Sequence, residues 1–140
     1  MKSDIEIAKF VYHKVKGTEL ERNVTGKLSD RGRPNKSEKE DIVISVLANE
    51  GCGQIQRAYV NVNIYVKDLW NEDTKQWERD TVRVGKLCEL CKFLFSIRRG
   101  DFHTVPSECN QKVHSTGVSF EDGHTEHFIN NKLYIEINNE

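Results

Sequence analysis

The clearest pattern in the chain runs from Ile55 to Lys67. Ala58, Val60, Val62, Ile64 and Val66 alternate there with Tyr59, Asn61, Asn63 and Tyr65. A period of two means that one side of a strand is buried and the other is polar. Just before it, Ile42-Val43-Ile44-Ser45-Val46-Leu47 is β-branched and apolar, with charge ahead of it and Gly51 and Gly53 behind. Such a run predicts a second strand. The linker Ala48–Gln54 is short enough to make the two an antiparallel hairpin.

Helical spacing appears twice. From Ser3 or Asp4, which can cap, Ile7, Phe10, Val11 and Val15 fall on one face, and Gly17 is a stop signal. From about Glu78 to Ile97, Val82, Leu87, Cys88, Leu90, Cys91, Leu94 and Phe95 form a second apolar stripe, closed by Gly100. Two more strands are predicted near the end, Lys112–Phe120 and Phe128–Ile137, joined through the turn signal Asp122-Gly123. In the last strand Leu133, Ile135 and Ile137 share a face.

The resulting order is α-β-β-α-β-β. Strands and helices do not alternate singly, which disfavours a doubly wound parallel sheet. The expected fold is α+β: a mainly antiparallel four-stranded sheet with two helices packed on one face. Residues 1–140 make a single domain. Within it, residues 21–40 read as a flexible basic loop or arm, because only Val24 and Leu28 are large apolar residues there, so at most a short strand fits. Leu69–Trp77 reads as a polar loop holding both tryptophans.

Composition narrows the function. Charged residues make up 31% and the formal net charge is −1, so global charge gives no case for nucleic acid or an anionic membrane. No apolar run approaches the roughly 20 residues a membrane helix needs. The start Met1-Lys2-Ser3-Asp4 lacks the apolar core of a secretory signal, so a cytoplasmic setting with reduced thiols is expected for the 4 cysteines.

Candidate chemistry is sparse. Cys88-Glu89-Leu90-Cys91 is a CxxC, but it lies mid-helix on the apolar stripe. Zinc pairs usually sit in knuckle loops and redox pairs at helix N-termini, so core packing is the favoured reading. Cys109 with His103, His114, His124 and His127 could extend it into a metal or thiol site, and His124-Thr125-Glu126-His127 has His-x-x-His spacing. That spacing falls in or beside a turn, where solvated histidines are the simpler account. Gly51-Cys52-Gly53 lacks the third glycine of a dinucleotide loop. Neither a nucleophile elbow nor a paired-carboxylate arrangement stands out, so no enzyme, cofactor or metal is expected. Arg31, Arg33 and Lys36 in the basic stretch could contact phosphates or a neighbouring subunit, although acids interleave with them. Trp70 and Trp77 are the other interface candidates, tryptophan being enriched where proteins dock.

The run Arg33-Pro34 through Glu40-Asp41-Ile42-Val43-Ile44-Ser45-Val46-Leu47 to Ala58–Asp68 resembles a known family. It is similar to the tail-terminator (tail-completion) and head–tail joining proteins of tailed bacteriophages, in the form found in Bacteroides-like hosts. The resemblance covers most of the chain through pattern and arrangement and carries over no binding residue. It implies a structural virion protein in a homo-oligomeric ring, commonly a hexamer, with the tail tube and neck proteins as partners. DNA would pass only through the lumen, with no membrane involved. The location implied is the virion, and the host cytoplasm during assembly.

Overall fold

Strand propensity and burial act together to set the centre of the fold. The computed structural model describes residues 2–52, 54–95, 102–106, 112–119 and 123–138, with side chains described over 2–51, 54–95 and 125–137. In chain order the elements are α1 (Asp4–Val15), α2 (Glu19–Asn23), β1 (Leu28–Ser29), β2 (Ile42–Cys52), β3 (Ile55–Lys67), β4 (Leu69–Asn71), β5 (Gln76–Glu78), α3 (Thr81–Phe95), β6 (Phe102–Pro106), β7 (Lys112–Ser119) and β8 (Gly123–Asn138).

The main sheet has six strands in the order β1-β2-β3-β8-β6, with β7 also on β8. The sixteen-residue β8 is long enough to carry β7 along its first half and β6 along its second. All pairs are antiparallel except β1 with β2, where Leu28 pairs with Ile42 and Ser29 with Val43 in parallel. The expected sheet of four strands becomes, among the described residues, one of six, and it is mainly antiparallel as expected, with one parallel pair. The expected pair of helices becomes three. Their buried residues join one core with the sheet's inner face: Ile7, Val11, Leu20, Leu87, Cys91 and Phe95 pack with Val60, Val62, Ile64, Leu133 and Ile135. The inward face of β3 is the one its alternation predicts.

Local signals explain the element ends. Ser3 accepts from the Glu6 N–H while Glu6 reaches back to Ser3, a capping box that starts α1. Gly17, with φ +79°, takes the left-handed conformation just past its end. In α3 the inward residues are Val84, Leu87, Cys91 and Phe95, and Val82 is 86% exposed, which corrects the expected stripe. The β2–β3 hairpin is tighter than Ala48–Gln54, because both strands run on until Cys52 pairs with Ile55. A bulge between Val46 and Ala48 shifts the register, so the inward parity of β2 switches and Leu47 turns outward. No helix among the described residues is long and apolar enough to cross a membrane.

Candidate functional site

The stretch expected as an arm, residues 21–40, lies against the domain through α2, β1 and a polar clasp. Gly26 N–H donates to the Glu40 carbonyl at 3.0 Å, and Ile42 N–H to the Lys27 carbonyl at 2.9 Å. A Cβ on Gly26 would collide with the Asp41 carboxylate and the Glu40 carbonyl, so glycine is what permits this approach. At the clasp, Arg33 Nε donates to Asp41 Oδ2 at 2.9 Å, Nη1 to Glu126 Oε1 at 2.7 Å, and Nη2 to the Lys39 carbonyl at 3.0 Å. Its guanidinium also stacks 4.2 Å from the Tyr65 ring centre. Arg33, read from sequence as a partner-facing cation, is thus spent inside the domain, and this corrects its role.

Asp41 is the buried end of the clasp, its side chain 1% exposed. Burial by itself would raise its pKa. The Ser37 hydroxyl, the Lys27 N–H and the Arg33 guanidinium all bond to its charged form and together hold it below the ordinary carboxylate value. A second clamp sits beside it: Arg83 donates to both oxygens of Glu40 at 2.7 Å and to the Asn23 carbonyl, tying α3 to the end of α2. On the inner face at the same end of the sheet, His127 Nδ1 lies 2.6 Å from Asp68 Oδ1. Arg31 and Lys36 remain exposed, Arg31 at the rim of a groove beside β2.

Trp70 and Trp77 do not lie in a loop. They are direct cross-strand partners in the β4–β5 hairpin, with ring centres 5.4 Å apart at 66°. Asn71 Oδ1 accepts from the Asp73 and Thr74 N–H groups and shapes the turn. Trp70 stays 43% exposed. The hairpin therefore staples itself and still offers an indole edge outward.

Cys88 and Cys91 share a helix, and Cys91 lies in the core, where Asn131 Nδ2 donates to its sulfur at 3.3 Å. Burial pushes the Cys91 thiol up to about 12, which makes its thiolate inaccessible as a nucleophile or ligand near neutral pH. In a chain carrying Cys52→Ser and Cys109→Ser, only Cys88 is expected to react quickly with a thiol reagent while folded. Cys91 should follow on unfolding, and equal fast rates would contradict its burial. Among the described residues no group of three metal-ligating side chains forms. The side chains of Cys109, His103, His114 and His124 lie outside the described residues.

The feature that sequence patterning missed is a free sheet edge. Beyond Val43 no described strand pairs with the outer side of β2. From Ile42 to Asn49 this strand has no charged residue and no proline, two of the devices that blunt such an edge, and the bulge at Leu47 is the one such device it carries. Leu47, at the bulge, is 55% exposed, and Ile5 of α1, which lines a groove of about 580 Å³ with Ala8, Ile44 and Val46, is 69% exposed. Uncharged stretches of this kind are visible in sequence, but which edge stays open depends on β1 ending after two residues. Compared with known proteins, the chain matches no protein-family model and no curated protein sequence, so the chemistry of these surfaces carries the functional reading.

Proposed function

We propose that this chain is a non-enzymatic assembly protein that joins copies of itself and partner proteins by adding a strand at the open edge of β2. The observation that carries this reading is that edge: backbone donors and acceptors without a partner strand, an exposed Leu47, and a groove with an apolar floor beside α1. Tailed-phage tail terminators and neck proteins are the setting that the pattern of residues 33–68 fits. In that setting the oligomer is a ring, commonly a hexamer, and its partners are tail-tube and connector proteins in the virion. The exposed Trp70 is a second docking point on the same reading, since indoles anchor interfaces.

Light scattering across a concentration series tests it. The mass is expected to rise from monomer towards a closed oligomer, and Leu47→Lys should return it to monomer. Leu47 is exposed at a bulge, so the substitution should shift thermal stability by no more than about 0.5 kcal/mol. A chain that stays monomeric alone and with tail-tube protein, or an oligomer untouched by Leu47→Lys, would overturn the β2 reading.

A further inference from the structure

The sheet face turned away from the helices carries a pattern that assembly at the β2 edge leaves unused. Across β3 and β8 the register sets Tyr65 opposite Phe128, Asn63 opposite Asn130, Asn61 opposite Lys132 and Tyr59 opposite Tyr134. Tyr59 and Tyr134 have ring centres 5.3 Å apart, tilted 39°, and Tyr65 and Phe128 lie 5.8 Å apart, tilted 35°. Between these aromatic pairs runs a strip of amides. Asn130 Nδ2 donates to Asn63 Oδ1 at 2.7 Å, and Asn61 Oδ1 is buried beneath the strip without a hydrogen-bond partner among the described residues. The matching β2 residues are Val43, Ser45 and Ala48, all small, so the strip lies lower than its aromatic ends. At about 3.3 Å per residue the face from Tyr59 to Tyr65, aromatic ends included, spans roughly 20 Å.

Positive charge follows the same line. The Lys132 ammonium is 5.3 Å from the Tyr59 ring centre. At the Tyr65 end, Arg33 stacks on the ring and holds the Lys39 carbonyl, so the loop carrying the exposed Lys36 and Lys39 borders this end of the face. Among the acids of this face, Asp41 and Glu126 are paired by Arg33 and Glu38 by Lys67, while Glu136 accepts from the Tyr134 hydroxyl and keeps its charge. Arg57 sits in register between Glu50 and Glu136 at the far end.

We propose that this face binds single-stranded nucleic acid. Unpaired bases offer flat apolar faces to the Tyr59–Tyr134 pair, and donors and acceptors at their edges to the asparagine strip, while Lys132, Lys36 and Lys39 meet the phosphates. A duplex hides its base faces and has no use for the aromatic pairs. The proposal does not rest on the assembly reading, and the two fail separately, because Tyr59→Ala and Tyr134→Ala change side chains of β3 and β8 and leave the open edge of β2 as it is.

Fluorescence anisotropy with a labelled oligothymidylate, and with a duplex of equal length, tests it at low salt. The single strand is expected to bind more tightly than the duplex, with affinity falling as salt is added. Tyr59→Ala and Tyr134→Ala should each weaken binding roughly tenfold, whereas Tyr134→Phe should not. Tyr59 is 38% exposed, so its loss leaves the core intact, and a melting curve checks this. Lys132→Ala should lower the salt slope by about one. Equal or tighter duplex binding, affinity unmoved by both tyrosine variants, binding of a neutral oligosaccharide in its place, or no binding at all would each overturn the proposal.

Discussion

Val62→Asp is expected to leave the chain largely unfolded at room temperature. Val62 is fully buried on the inner face of β3, paired with Ile44 on one side and Asn131 on the other, and its carbonyl accepts from Asn131 Nδ2. Among the described residues no lysine or arginine is buried on the inner face to meet a carboxylate there, and an unpaired buried charge costs several kcal/mol. A domain of this kind has only about 5–15 kcal/mol in hand. Asn61→Asp, one residue earlier, is the control. It projects from the opposite face in register with Lys132, so it should move the urea midpoint little. Circular dichroism of the two variants across a urea series decides it: similar losses would mean that the strand's two faces are not divided as described.

Those two residues also show where the sequence was legible. Strict alternation over residues 58–66 is enforced by burial on one face, so the faces of β3 could be read directly, as could α1 from its cap and the spacing of Ile7, Val11 and Val15. The short strands that the pattern left out or only allowed for escaped it for identifiable reasons. β1 is two residues long and exists because Gly26 lets the chain approach Asp41, a contact that no local pattern encodes. β4 and β5 are three residues each, too short for periodicity, and only the Trp70–Trp77 pairing across a turn marks them. Val82 and Val84 are equally apolar; helix packing alone decides that Val84 goes inward. The site followed the same rule. Arg33 reads as one cation among several in a polar stretch, because its partner Glu126 is 93 residues away in sequence. Among the interface residues, Trp70 keeps an exposed edge, while Arg33 is absorbed by the fold.

Arg33→Ala is the second substitution with a large expected effect, and its signature is in the pH dependence. Removing the guanidinium leaves Asp41 buried without its cation, and Arg33 and Glu126 have side chains only 19% and 18% exposed, so the loss is poorly screened by water. Breaking such a pair from one side costs about 3 kcal/mol. Because the folded-state pKa of Asp41 lies below its ordinary value, its contribution is fully present above the unfolded value of about 4 and is lost as pH falls through the lower, folded value. Wild-type stability should therefore hold steady down to about pH 5 and decline in more acid solution. In Arg33→Ala the desolvation that the clasp now outweighs pushes the Asp41 pKa upward, so the carboxyl takes up its proton nearer neutrality. Below the ordinary carboxylate range Asp41 is protonated in both proteins, and the gap between them should narrow. Urea midpoints measured from neutral pH into acid give the two curves. Curves that stay parallel throughout would mean that Arg33 contributes by packing on Tyr65 alone, and that the charge on Asp41 is stabilised by Ser37 and the Lys27 N–H without it.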